Sequence, residues 1–254
     1  MIRVAVSGCA GRMGKTVVEA VSAAEDMEVV CGIDPHGAEA PFPVYPCVQD
    51  AVDIAQFDVL VDFTQPNVVA ANLAVALPAG INCVVGTTGL SNDVLEKLAA
   101  TATAGACLFY APNFTTGAVL MMQFARAAAP YFPEAEVIEF HHANKLDAPS
   151  GTAVRTAQII DEARNFHSTA PGSETEINGA EGARGALVEG VPVHSVRSMG
   201  FVASQEVIFG SMGQSLTIRH DSWDRTSYMP GVLLGIRSVE KEHGLIVGLE
   251  NFMD

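Results

Sequence analysis

In the first 110 residues, apolar positions fall in short continuous runs separated by stretches of helical spacing. The runs at 2–7, 28–33, 59–63, 83–85 and 107–110 read as strands, and 15–24, 67–77 and 93–102 as helices. Continuous apolar strands alternating with helices predict a parallel sheet covered on both faces. Further along, the pattern changes. Residues 116–129 read as a helix ended by Pro130, 135–141 as a strand entering a polar loop, and 152–164 as a helix with Ala153, Ala157 and Ile160 on one face. Residues 167–190 are polar and glycine-rich and predict a loop or mobile flap. Strand-like runs at 191–197, 205–209 and 215–220 predict an antiparallel or mixed sheet, and 228–243 a last helix. The expected fold class is α/β: an N-terminal Rossmann-like parallel sheet with a second α+β lobe built on a mixed sheet. The expected division is 1–114 plus 225–254 for the first lobe and 115–224 for the second.

Composition narrows the function. Hydrophobic residues make up 49% of the 254 and charged residues 17%, which excludes a disordered chain, a coiled coil and a collagen-like repeat. No apolar run reaches the ~18 residues of a spanning helix, so no membrane partner is expected. Fourteen Lys and Arg against 29 Asp and Glu leave a net charge of −15, which repels a phosphate backbone and argues against nucleic acid. The five cysteines are scattered, without a CxxC pair, and read as reduced thiols of a cytoplasmic protein without a metal site.

Three segments carry chemistry. Gly8-Cys9-Ala10-Gly11-Arg12-Met13-Gly14 follows a strand and opens a helix, a GxxGxxG variant of the turn that brings a pyrophosphate against backbone N–H groups. Asp34 ends the second strand, where a carboxylate accepts from ribose hydroxyls. Gly86-Thr87-Thr88-Gly89 and Ala111-Pro112-Asn113-Phe114 end two later strands, the edge that lines the ligand crevice of an open parallel sheet. The third segment, Glu139 to Thr152, concentrates His141, His142 and Lys145 in a loop before a helix that starts at Ser150-Gly151-Thr152. A proton exchanger, a cation and a helix start with free N–H groups suggest reduction or protonation of a carboxylated substrate. His194, Arg197, His220, Arg219 and Arg225 read as rim or structural residues. No Lys or Arg occurs between Thr16 and Glu96, and Asp34 repels a 2′-phosphate, so NADH is expected to be preferred or equal to NADPH.

The glycine turn, Val61-Asp62-Phe63-Thr64, GTTG at 86–89, APNF at 111–114 and HHANKLDAPSGTA at 141–153 together resemble the dihydrodipicolinate reductase family, as do 194–197 and 206–210. The resemblance spans essentially the whole chain. It implies reduction of 4-hydroxy-tetrahydrodipicolinate to tetrahydrodipicolinate with NADH or NADPH, in lysine and diaminopimelate biosynthesis. A homotetramer joined through the second lobe is implied as well. Carried over by position, His141 is a proton donor or acceptor and Lys145 a proton donor; His142, Gly151 and Thr152 bind the small dicarboxylate substrate. Gly8, Cys9, Ala10, Gly11, Arg12, Met13, Asp34, Gly86, Thr87, Thr88, Ala111, Pro112, Asn113 and Phe114 line the dinucleotide. Thr115 stands where members often have Ser, and Ser204 where many have His. Two other readings remain at this point: a nicotinamide dehydrogenase for another small acid, and a dinucleotide sensor without catalysis.

Overall fold

The computed structural model describes residues 1–164 and 182–253. The chain divides into two compact units, Met1–Thr116 with Arg225–Asp254, and Gly117–Asp224.

The first unit is built on seven strands: β1 (Ile2–Ser7), β2 (Met27–Ile33), β3 (Val44–Tyr45), β4 (Val59–Asp62), β5 (Asn82–Val85), β6 (Cys107–Tyr110) and β12 (Gly244–Val247). Their order is β12-β6-β5-β4-β1-β2-β3, and every pairing is parallel. The chain works outward from β1 to β3, then returns to place β4 on the other side of β1. That reversal is the topological switch point where such sheets bind ligands. All residues of β4 and β6 are buried, as expected of strands covered on both faces. Helices α2 (Val48–Ile54), α3 (Pro66–Ala76) and α4 (Asn92–Ala99) share one core with Ala5, Leu60, Cys83 and Leu108. Helices α1 (Arg12–Ala23) and α7 (Met229–Val239) pack against each other, and α7 lies against β5 and β6. The α/β reading of the sequence holds here.

Several boundaries move for local reasons. Helix α1 starts at Arg12, directly from the glycine turn, rather than at 15. Helix α4 ends at Ala99, and beyond it the Thr101 N–H and hydroxyl both turn back onto the Leu98 carbonyl. Helix α7 ends at Val239 rather than at 243; the polar residues 240–243 leave the helix, and β12 follows them. Sequence periodicity did not predict β3, α2 or β12; two to seven residues are too few to show a period.

The second unit holds a five-stranded sheet in the order β11-β10-β7-β9-β8. Strands β7 (Glu134–His141) and β9 (Val191–Arg197) run parallel, while β10 (Ala203–Ser211), β11 (Gln214–Ser222) and β8 (Ala186–Val188) pair antiparallel, so the sheet is mixed as expected. Helices α5 (Thr116–Ala128) and α6 (Gly151–Ala163) cover one face, with Met121, Ala125, Ala157 and Ile160 on Val137, Val193, Val207 and Phe209. Helix α5 passes into a 3-10 turn over Ala129–Tyr131 that accommodates Pro130. The expected loop over 167–190 lies outside the described residues up to 181. From 182 it is a turn leading into β8, a strand inside the span whose composition predicts a loop. Among the described residues, no helix is long and apolar enough to cross a membrane.

Candidate active site

In the first unit the glycine turn follows β1. Gly8 adopts φ +75, which only glycine takes up without strain, and its N–H donates to the Ile33 carbonyl at 2.8 Å. Gly11 N–H then donates to the Gly8 carbonyl at 2.9 Å and caps α1 without a side chain. A Cβ on Gly14 would stand 2.0 Å from that same Gly8 oxygen, so the helix start lies against the turn at a distance open only to glycine. No acidic side chain and no side-chain cap occupies the first turn of α1. Its leading N–H groups, at Arg12 and Met13, are left for an anion. Cys9 is buried, and burial together with the nearby Asp34 carboxylate raises its thiol pKa.

Asp34 follows β2 and is itself nearly buried. One carboxylate oxygen accepts the Ala10 N–H at 3.3 Å and the other the His36 N–H at 3.1 Å. The sequence-predicted acid and the sequence-predicted turn are thus joined. The C-terminal ends of β4, β5 and β6 lie on the same edge as Gly8, because all are parallel. Gly86 follows β5, and a Cβ there would meet the Phe63 ring at 2.1 Å. Asp62, fully buried, gathers Thr64 N–H, Thr64 Oγ1 and Thr87 Oγ1 on one oxygen at 3.0, 2.7 and 2.9 Å, and Asn72 Nδ2 on the other at 2.7 Å. The Thr87 hydroxyl is therefore engaged within the protein, while Thr88 is exposed. Phe114 packs its ring into the core, 5.6 Å from both Phe63 and Phe109. Ala111 is buried, Pro112 exposed, and Asn113 Oδ1 accepts Thr115 N–H at 2.8 Å. Thr87 and Phe114 thus have mainly their backbone groups to offer a ligand.

In the second unit the alternation of β7 puts Ala135, Val137, Glu139 and His141 on the helix-covered face. The parallel register of β9 sets Ser195 beside Glu139 and Arg197 beside His141. Glu139 is fully buried in a network. Arg197 donates to both of its oxygens at 2.8 Å, His141 Nδ1 contacts one, and the Ser150 N–H reaches the other at 3.3 Å. Burial acts to raise the Glu139 pKa, but hydrogen bonds from His141, Arg197 and Ser195 outweigh it and hold the carboxyl at about 2. Arg197 Nη2 also donates to the Asp147 carbonyl at 2.6 Å, tying in the loop. In that loop Lys145 N–H turns back to the His142 carbonyl at 3.1 Å, and Lys145 Nζ pairs with Asp147 at 2.8 Å. The hydrogen bond from Lys145 holds the Asp147 carboxyl below its usual range. His142, just beyond β7, is exposed.

Ser150 caps α6 by accepting the Ala153 N–H at 3.2 Å. Gly151 and Thr152 form the first helical residues, as the sequence indicated. A Cβ on Gly151 would meet nothing within 4 Å, so packing does not explain the glycine. An open cavity of about 450 Å³ lies beside the loop, lined in part by Pro149, Val193, His194 and Ser195.

The structure ties His141 and the α6 start to Glu139, and the loop that carries Lys145 to Arg197, two residues that sequence reasoning passed over. Glu139 received no role, and Arg197 was set aside as a rim residue. A signal existed: Glu139 continues the inward alternation of Ala135 and Val137, and a carboxylate on such a face needs a cationic partner. The partner's identity was not visible, since Arg197 lies 58 residues away. His194 pairs with Glu136 at 2.8 Å. Arg219 bridges Glu206 and Asp221 and lies 5.1 Å from the Phe140 ring. Ser204 is buried and hydrogen-bonds Asp221.

A parallel sheet in this order, with a glycine-cradled helix start at its switch point, belongs to the dinucleotide-dependent oxidoreductases. The particular group follows from similarity along the chain. Residues 2–114 match the family described as dihydrodipicolinate reductase, N-terminus, and residues 117–253 the one described as dihydrodipicolinate reductase, C-terminus. The 4-hydroxy-tetrahydrodipicolinate reductase of Listeria welshimeri is 49% identical over 267 residues, covering 100% of both chains. That of Mycolicibacterium vanbaalenii is 48% identical over 255 residues, covering 100% of this chain and 99% of its own. A solved dipicolinate-bound dihydrodipicolinate reductase from Paenisporosarcina sp. TG-14 is 42% identical, covers 99% of each chain and superposes with a TM-score of 0.87. The chain belongs to the dihydrodipicolinate reductase family, an oxidoreductase family, and the resemblance read from its motifs is borne out. With a fold of this kind the family implies a nicotinamide cofactor.

Proposed function

We propose that this chain reduces 4-hydroxy-tetrahydrodipicolinate, after loss of water from the ring, to tetrahydrodipicolinate in lysine and diaminopimelate biosynthesis. The observation that carries the reading is the convergence in the second unit of His141, Lys145 and the α6 start at Gly151 and Thr152. It joins proton donors to a carboxylate cradle. Of the alternatives, a sensor has no use for that convergence, and another dehydrogenase is disfavoured by full-length likeness to these reductases.

The nicotinamide, when bound, supplies hydride to the conjugated ring. The rest falls to the chain. Arg12 and Met13 present N–H groups to the pyrophosphate, and Gly8, Cys9, Ala10 and Gly11 line it as the turn, a reading supported by the close approach of α1 to that turn which Gly14 permits. Asp34 accepts from ribose hydroxyls. Gly86, Thr87, Thr88, Ala111, Pro112, Asn113 and Phe114 line the far side of the dinucleotide, Thr87 and Phe114 through their backbones. His142, Gly151 and Thr152 hold substrate carboxylates, and a protein of net charge −15 needs such local positive sites to bind two anions. As the ring accepts hydride it becomes an electron-rich enamine, which takes a proton from His141 or Lys145.

NADH is preferred or equal to NADPH, because Asp34 faces the ribose and no Lys or Arg lies between Thr16 and Glu96. The protein is a cytoplasmic homotetramer. Five free thiols suit a reducing compartment. The nine-residue edge strand β11, with residues 214–217 exposed, is a template for pairing with another copy.

The test follows nicotinamide absorbance with 4-hydroxy-tetrahydrodipicolinate formed in the cuvette, beside a panel of other small acids. Turnover confined to this substrate is expected, with His141→Ala and Lys145→Ala each losing about 10²–10⁴-fold in kcat at little change in NADH affinity. Faster turnover of another acid, or normal kcat in both variants, would overturn the reading.

A further inference from the structure

We infer that Glu139 is a positioning residue that fixes His141 in one tautomer, with Nδ1 protonated and Nε2 reserved for the proton transfer. The inference rests on the proposed role of His141 as proton donor and extends it to the groups behind it.

The geometry carries it. Glu139 is fully buried, and its oxygens are taken up by five donors: His141 Nδ1, Arg197 Nη1, Arg197 Nη2, the Ser150 N–H and the Ser195 hydroxyl. An ionised carboxylate only accepts hydrogen bonds, so the ring nitrogen facing it is the one that carries a proton. The two-point grip of Arg197 keeps the carboxylate from rotating. It also keeps the carboxyl ionised: with hydrogen bonds from His141 and Ser195 it holds the pKa at about 2 against burial.

The consequence is a fixed direction of proton flow. With both ring nitrogens protonated, His141 delivers the Nε2 proton and is left as the Nδ1–H tautomer, still bound to Glu139. No ring flip intervenes, and reprotonation occurs at Nε2. The same carboxylate accepts the Ser150 N–H at the α6 start, and Arg197 reaches the Asp147 carbonyl in the lysine loop. One buried group thereby sets His141 in register with the Gly151–Thr152 cradle and the Lys145 turn.

Two measurements test it. In the unsubstituted enzyme, nitrogen-15 NMR of His141 at a pH where the ring is neutral should show Nδ1 protonated and Nε2 bare. The opposite tautomer would overturn the inference, and this needs no variant to fold. Second, Glu139→Gln, His141→Ala and the double variant form a cycle. Glu139→Gln should lower kcat by about 10–100-fold with the NADH dissociation constant unchanged, and should add nothing in the His141→Ala background. Losses that multiply in the double variant, or wild-type kcat in Glu139→Gln beside a crippled His141→Ala, would refute positioning while leaving His141 as the donor. Normal kcat in His141→Ala would remove the donor assignment, and this inference with it.

Discussion

Replacing Gly14 by alanine should cripple dinucleotide binding through one methyl group. The added Cβ would lie 2.0 Å from the Gly8 oxygen, 2.7 Å from its carbonyl carbon and 2.8 Å from the Cys9 Cα, and real Cβ atoms essentially never come under 3.0 Å. All three obstacles are backbone, so no side chain can rotate away. Clearing the oxygen alone requires at least 3.0 − 2.0 = 1.0 Å of relative movement between α1 and the turn. That movement displaces the N–H groups of Arg12 and Met13 from their phosphate positions, and about 1 Å of misplacement costs on the order of 10²-fold. It also lifts Val17 and Val21 from the core they share with the sheet, an overpacking cost of about 1–3 kcal/mol. The assay is NADH fluorescence titration with thermal unfolding alongside: the dissociation constant should rise about 10²-fold, or about 2.7 kcal/mol, and the midpoint should fall. Gly11→Ala is the internal control, since its Cβ would stand 3.1 Å from the Gly8 oxygen and needs only a few tenths of an ångström of relief. A folded Gly14→Ala protein binding NADH within about threefold of wild type, or equal damage from Gly11→Ala, would refute the steric reasoning.

Gly151→Ala should leave thermal stability unchanged or slightly raised, because its Cβ meets nothing within 4 Å, yet raise KM for the substrate if a carboxylate approaches that backbone; unchanged KM would remove Gly151 from the cradle. Hydrogen bonds from His141, Arg197 and Ser195 hold the Glu139 carboxyl at about 2 in the folded chain against 4.5 when free, so its stabilising contribution is complete above pH 4.5 and lost as pH falls through 2. This amounts to about 3 kcal/mol at neutral pH, so the gap in urea midpoint between wild type and Glu139→Gln should hold from pH 7 to about 4.5 and narrow from there to pH 3; a gap unchanged below 4.5 would count against it. Asp34→Ala should shift the kcat/KM ratio toward NADPH by about tenfold, some 1.4 kcal/mol, and an unaltered ratio would show that Asp34 does not face the ribose.

Much of the first unit was legible because its signals are local. A strand, a turn that needs glycine at Gly8, and a helix that begins where glycine alone permits contact are encoded within Ile2 to Gly14. The His141 to Thr152 segment announced its chemistry in the same way, and the Ser150 cap lies where the sequence indicated. The edge strands β3 and β12 were not legible. Two and four residues carry no period, and their existence depends on a neighbouring strand offering free carbonyl and N–H groups.

The sequence by itself determined the class of fold, the glycine turn with its acid at Asp34, and the set of imidazoles and cations near α6, because each depends on residues close together in the chain. The partnership of Glu139 with Arg197, the burial that makes it necessary, and the tautomer it imposes on His141 were decided only by tertiary structure. They depend on the parallel register of β7 and β9 across 58 residues. Side-chain alternation says which face a residue takes, but not which strand will lie beside it. That choice belongs to the packing of the whole unit, where a buried carboxylate must find its donors or not be buried at all.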